Sequence, residues 1–255
     1  MSESASESWY LDPVVADQKA AVNRALVGRW ADASRDGTVL KTDLFEEANG
    51  TDHILDALTA YGARVVGMDC ASSTVARARQ RFPDAGIDMT VTDLCAMNFQ
   101  SGTFDLIVST STLDHFNTRL EFLQALKEMH RVLSPGGRMV LVIDNPLNPG
   151  YWPLRLLCGR AASFRLGYTM TQSGFRGELE GLGLRTVGVG YAIHNPRMVS
   201  TILFLFLRRL LGNRAEPAIR GCVKLFEFVG KLPIKPLTAC FSVVCVDKPD
   251  VSETG

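Results

Sequence analysis

Between Thr38 and Asp144 the chain alternates short apolar runs with amphipathic stretches, and this alternation most constrains its fold. The apolar runs are Thr38–Phe45, Ala63–Asp69, Ile87–Asp93, Phe104–Ser109 and Arg138–Asp144. Each has strand length, and runs such as Ala63–Asp69, Phe104–Ser109 and Arg138–Asp144 are apolar rather than alternating, as strands covered on both faces require. Between them, residues 51–60, Ser72–Gln80 and Thr118–Leu133 carry helical spacing, with Gly62 and Pro83 as stops. Strands separated by helices imply right-handed crossovers and a parallel sheet with helices on both faces.

The flanks extend this pattern. Residues 14–33 read as an amphipathic helix. After Asp144 comes a Pro- and Asn-rich loop, then a helix at Thr171–Gly183 and a sixth strand at Leu184–Ile193. Helices over 198–212 and 217–230 then delay the last strand, Phe241–Asp247. The chain divides into an N-terminal helical segment (1–37), a ligand-binding core (38–150) and a C-terminal part of the same domain (151–250) with an apolar helical insert. Val199–Leu207 is too short to span a bilayer. It reads either as a buried helix or as a surface meeting lipid or an apolar substrate, a peripheral membrane contact.

Lys plus Arg and Asp plus Glu are both 27, so no basic excess points to nucleic acid. The six cysteines lack C-x-x-C spacing and are expected as buried, reduced small hydrophobes, with no metal site. The N-terminus has no basic flank and apolar run, so a cytoplasmic location is expected. Oligomeric state leaves no signature.

In an open parallel sheet, ligands bind beyond the carboxyl ends of the strands. Acids close several of these runs: Asp69, Asp93 followed by Leu94, and Asp144 followed by Asn145. Asp69 is placed to accept from ribose hydroxyls. Asp93 and Leu94 are placed to receive an adenine amino group and cover its ring.

Gly62–Asp69 with Cys70, Val91–Leu94, Phe104–Ser109 with Leu113–Phe116, and Arg131–Gly137 follow one another in an order that resembles class I S-adenosylmethionine-dependent methyltransferases. The resemblance implies a three-layer α/β, Rossmann-like seven-stranded methyltransferase sheet with a helical insertion before the last strand. It implies S-adenosyl-L-methionine as cofactor, held by Asp43, Glu46, Gly50, Asp69, Cys70, Asp93, Leu94 and Ser109. The first motif departs from the family's glycine-rich loop. Counting back from Gly62 places the pattern on Glu46–Asp52, where only Gly50 is a glycine. A second register ends the strand at Asp43. The string KTDLFEEA, together with STLDHF and DNP, resembles a bacterial subgroup of the family. Asp43, Glu46 and Glu47 all compete for the cofactor's ammonium, and at least one is expected to cap a helix instead.

For the chemistry, His115 and Asp114 stand after the fourth strand as the candidate base. Asp144, Asn145 and His194 stand on the substrate side, His194 with Arg197 beside it. No Asn-Pro-Pro-Tyr follows the fourth strand and no G-x-G-x-x-G follows the first, which disfavours base-nitrogen methylation and nicotinamide chemistry. The expectation is methyl transfer to an oxygen of a small, lipid-like acceptor, the alternative being a methyltransferase-like protein that binds without turnover.

Overall fold

A computed structural model describes residues 12–31, 37–62, 64–83, 86–110, 112–161 and 166–250. Seven strands form one sheet in the order β3-β2-β1-β4-β5-β7-β6. They are β1 (Thr38–Lys41), β2 (Arg64–Asp69), β3 (Asp88–Val91), β4 (Phe104–Thr110), β5 (Leu133–Asp144), β6 (Arg185–Ala192) and β7 (Phe241–Asp247). The chain reverses its direction of travel across the sheet between β3 and β4, so the switch point lies between neighbours β1 and β4.

Helices cover both faces. On one, α1 (Pro13–Trp30), α3 (Leu55–Leu58) and α4 (Ser72–Arg81) bury Val27, Leu55, Leu58, Val75 and Ala78 against Val39, Val65 and Val108. On the other, α5 (Arg119–Val132) and α7 (Gln172–Gly181) bury Phe122, Leu126, Phe175 and Leu179 against Leu40, Ile107 and Leu141. Residues of the central strands pointing to opposite faces thus feed two cores, and so runs such as Leu106–Val108 and Met139–Ile143 are continuously apolar. A capping box fixes the start of α5, with Thr118 and Glu121 bonding each other's backbone amides.

The sheet is mixed rather than wholly parallel, because β7 is antiparallel to both β5 and β6. The reason is the insert formed by α8 (Arg197–Leu211), α9 (Glu216–Val229) and α10 (Lys235–Thr238). It leaves and returns at the same edge, closed where Cys240 N donates to Ile193 O at 2.7 Å, so the chain must run back down the sheet. The expected Pro-Gly-Gly turn is a bulge inside β5. Pairing jumps from Phe104↔Leu133 to Leu106↔Arg138, and Gly136 takes φ +74°, which a side chain would strain.

Other expectations shift. The first strand stops at Lys41, four residues early, and the chain turns at once into α2 (Phe45–Asn49). The helix expected over 51–60 shrinks to α3. Cysteines 240 and 245 are buried as expected, but Cys70 is exposed and Cys95 and Cys222 are half-buried. Residues 1–11 and Ser111 lie outside the described residues, as do the side chains of Cys158 and Arg197.

Candidate active site at the carboxyl edge of the sheet

At the tip of β1, Lys41 is almost wholly buried, with 1% of its side chain exposed. Its ammonium donates to Glu47 Oε2 at 2.9 Å and to the Asp43 carbonyl at 2.7 Å. Glu47 in turn accepts from Ile54 N at 3.2 Å. Lys19 of α1 reaches over to Glu46 Oε1 (2.8 Å) and Asp52 Oδ2 (2.7 Å). Oxygens of Asp43, Glu46 and Glu47 all lie within 4.8 Å of one another. Burial works against Glu46 ionising, but the ammoniums of Lys19 and Lys41 hold its carboxyl below the usual range. Burial and the neighbouring Glu46 carboxylate push Asp43 well above it. Burial likewise opposes the charge on Lys41, and Asp43 and Glu47 reverse that, holding its ammonium above the ordinary lysine value.

Asp43 faces the switch point. Thr42 Oγ1 lies 2.9 Å from both Ser109 Oγ and Thr112 Oγ1, and Thr112 donates to Asp43 Oδ2 at 2.9 Å. The network ties β1 to the loop after β4. Asp43 Oδ1 accepts from Phe45 N at 3.1 Å and so starts α2. Since Asp43 is raised by burial, its ionisation costs folding free energy at pH values above its unfolded range. Asp43→Asn is therefore expected to melt no lower than the parent at pH 7. That advantage should shrink as pH falls through the ordinary carboxylate range near about 4, where both states are protonated. Thermal unfolding across pH checks this, and a variant less stable at every pH would refute it.

At the tip of β2, Asp69 is half-buried. Its Oδ2 accepts from Leu44 N at 3.2 Å and its Oδ1 from Ala71 N at 2.8 Å. Beyond β3, the exposed Asp93 accepts from Cys95 N at 2.8 Å through Oδ1. Cys70 is exposed beside Asp69, its thiol pushed up by partial burial and that carboxylate.

After β4 the chain makes a 3-10 turn at Leu113–His115 that buries Asp114 and exposes His115. Residues 167–169 strap across this turn and the tip of β5. Gly167 N donates to Asp114 O (2.7 Å), Tyr168 N to Phe116 O (2.5 Å) and Thr169 Oγ1 to Asp144 O (2.6 Å). A Cβ on Gly167 would sit 2.2 Å from Phe116 O, so only glycine permits the approach. Asp114, Asp144 and Tyr151 of α6 (Tyr151–Ala161) lie buried together. Burial and Asp144, with Asp114 adding, push the Tyr151 phenol up to about 12.

Several expected ligands are committed elsewhere. Ser109 is fully buried and bonded to Thr42. Leu94 belongs to the core with Met97 and Phe104. Gly50 closes the far end of α2 through Gly50 N and Glu46 O, 2.7 Å apart, because the strand ends before the expected register. Glu46 lies within α2 and gives only one of its carboxylate oxygens, Oε1, to Lys19. Asn145 uses both ends of its amide inside the protein, donating to Pro236 O and Ala239 O and accepting from Leu147 N. His194 bonds Thr238 Oγ1 at 2.8 Å, and burial with nearby Lys235 lowers its pKa, so it braces the insert. Lys41, Thr42, Thr112 and the strap were not anticipated. The polar triplet Lys41-Thr42-Asp43 at the end of an apolar run was the available signal.

A family profile described as a methyltransferase domain matches residues 46–141. With the strand order and the acid-tipped edge, this points to one family. Over residues 46–141 the chain matches the class I S-adenosylmethionine-dependent methyltransferase domain, and its sheet has the fold of that domain. Demethylmenaquinone methyltransferase of Thermus thermophilus is 36% identical over 92 residues, 35% of this chain and 40% of the relative. The protein named "Probable tRNA methyltransferase 9B" in Mus musculus is 35% identical over 78 residues, 31% of this chain and 17% of the relative. The chain thus spans well under half the length of these curated relatives. The crystal structure of geranyl diphosphate C-methyltransferase from Streptomyces coelicolor shares the fold. Its TM-score is 0.59 at 13% identity, over 92% of this chain and 80% of that one.

S-adenosylmethionine is the methyl donor of this family. The donor set at the edge suits it. Asp69 keeps acceptor capacity beyond its two amide bonds, as a ribose diol needs. Asp43, Glu46, Glu47 and Asp52 share only Lys19 and Lys41, so carboxyls outnumber ammoniums, which suits a cation or a proton. The methionine end differs from the glycine-loop pattern, because the Leu44 and Phe45 amides are already bonded to Asp69 and Asp43.

Proposed function

We propose that this chain transfers a methyl group from S-adenosylmethionine to an oxygen of a small, lipid-like acceptor. The observation that carries the reading is Asp69 at the tip of β2, held by two backbone amides beside the switch-point network of Asp43, Thr112, Thr42 and Ser109. Asp69 and Asp93 hold the adenosyl end, and Asp43 with Glu46 presents the acidic wall toward the cation. The bound cofactor supplies the electrophilic methyl group. The protein's part is alignment, exclusion of water and removal of one proton. His115, exposed on the turn after β4, takes that proton from the acceptor hydroxyl, and the neighbouring Asp114 on the same turn supports the positive charge formed. Asp144, covered by the strap, borders the acceptor side. A lipid-like acceptor fits the exposed apolar insert, and the Thermus thermophilus relative is named for a quinone substrate.

Calorimetry with S-adenosylmethionine tests the first step, and absence of binding would refute the reading. Formation of S-adenosylhomocysteine with apolar hydroxyl-bearing acceptors tests the second. Tight binding without turnover on any of them would favour a non-catalytic binding protein. His115→Ala should leave cofactor affinity and melting temperature unchanged, since the side chain is exposed, while lowering the rate by about 10²–10⁴. An unchanged rate would show that His115 is not the base.

A further inference from the structure

The insert between β6 and β7 presents an apolar surface that the site chemistry does not use. On α8, Val199, Ile202, Leu203, Phe206 and Leu210 are exposed at three- and four-residue spacing, one stripe of the helix. The opposite stripe, with Phe204 and Leu207, packs with Ile219 and Val223 of α9 on Val14 and Val15 of α1. Leu225 and Phe228 continue the exposed apolar surface along α9, and Leu232, Ile234 and Leu237 carry it through the connection into α10. Phe206 and Phe228 are each 60% exposed.

Charge says what covers this surface. Arg197–Thr238 holds eight Lys or Arg and two Glu, a net +6, so the rest of this formally neutral chain carries −6. Arg208 and Arg220 are paired, with Asp12 and Glu216 respectively. Arg209, Arg214, Lys224, Lys231 and Lys235 are exposed and pair with no carboxylate among the described residues. An apolar stripe rimmed by unpaired cations is the pattern of a helix lying in the headgroup region of an anionic bilayer. A two-fold contact with a second copy would instead set like charges against each other. No helix among the described residues is long and apolar enough to cross a membrane, so the contact is a surface one.

We propose that α8, α9 and α10 form a docking face for an anionic lipid bilayer, with Trp152 of α6 at its margin. Trp152 is 58% exposed, and the loop before it is tied to the insert where Asn145 Nδ2 donates to Pro236 O and Asn148 Nδ2 to Thr238 O. That loop follows Asp144 directly, so the face adjoins the carboxyl edge of the sheet. Docking there brings the site to the bilayer surface, where an apolar acceptor resides.

The experiment needs no cofactor or acceptor, so its outcome is independent of methyl transfer. Vesicles of phosphatidylcholine, with and without phosphatidylglycerol, are sedimented with the full chain. Binding to the anionic vesicles is expected to exceed binding to neutral ones by at least about tenfold and to weaken with added salt. Phe206→Glu with Leu210→Glu should weaken it by about tenfold or more while leaving the melting temperature unchanged, because both side chains are already exposed. Equal binding to neutral vesicles, no binding to either, or binding unaffected by the double variant would each overturn the proposal. So would self-association of the parent that the double variant abolishes, which would identify a second copy as the occupant.

Discussion

Asp69→Ala is expected to weaken S-adenosylmethionine binding by about 1.5–3 kcal/mol, the scale of a hydrogen bond to a charged group, or roughly ten- to more than a hundredfold. Two losses add. The carboxylate that would accept from the ribose is gone, and so are the acceptors for Leu44 N and Ala71 N. The second loss loosens the β1–α2 connection on which Asp43 and Thr42 are mounted. Asp69→Asn keeps an acceptor for one amide and separates the two effects, because it should retain stability while still losing affinity. Calorimetric titration of parent and both variants measures this. Parent-like affinity in the alanine variant would remove Asp69 from the cofactor site and with it the geometric basis of the proposed function.

Lys41→Met is the substitution expected to cost most stability. It leaves the fully buried Glu47 carboxylate with Ile54 N alone, and breaking one side of a buried ion pair costs about 3–5 kcal/mol. Replacing both partners, as in Lys41→Met with Glu47→Leu, should recover much of that loss, since the buried Glu47 charge goes with its partner and Glu46 keeps Lys19. Urea unfolding of the three proteins gives the comparison. A single variant within about 1 kcal/mol of the parent would mean that Glu47 finds a proton or water at little cost. The pH dependence has a definite sign. Lys41 is held above its ordinary value, so its stabilisation is complete below about pH 10.4 and is lost as pH rises through the folded value. Glu46 is held below its ordinary value, so its share is complete above about pH 4.3 and is lost as pH falls.

Much of the fold is legible in the sequence because apolar periodicity is local. Phe104–Thr110, Arg64–Asp69 and Phe241–Asp247 form within a residue or two of the runs that announce them, and Pro83 lies just beyond the end of α4. The end of β1 is not legible in the same way. Counting back from Gly62 assumes a fixed loop length, but Gly50–Ile54 separates α2 from α3 and moves the whole acidic string relative to the strand. Asn145 and His194 likewise look available in sequence. Their partners, Pro236, Ala239 and Thr238, are about 44 to 94 positions away and meet them only through the closure of the insert.

Local patterning suffices for the βα alternation, the two-faced burial of the central strands and the placing of Asp69, Asp93 and Asp144 at or just beyond their carboxyl ends. Those properties depend on each residue's own hydrophobicity and on neighbours a few positions away. Long-range contacts instead set the backward run of β7, the strap of Gly167 over the turn after β4, and the opposite shifts of Glu46, favoured as carboxylate, and Asp43, disfavoured. An ionisable group answers to charges within a few ångströms in space, and Lys19 and Thr112 reach Glu46 and Asp43 only when α1 and the loop after β4 have folded onto β1.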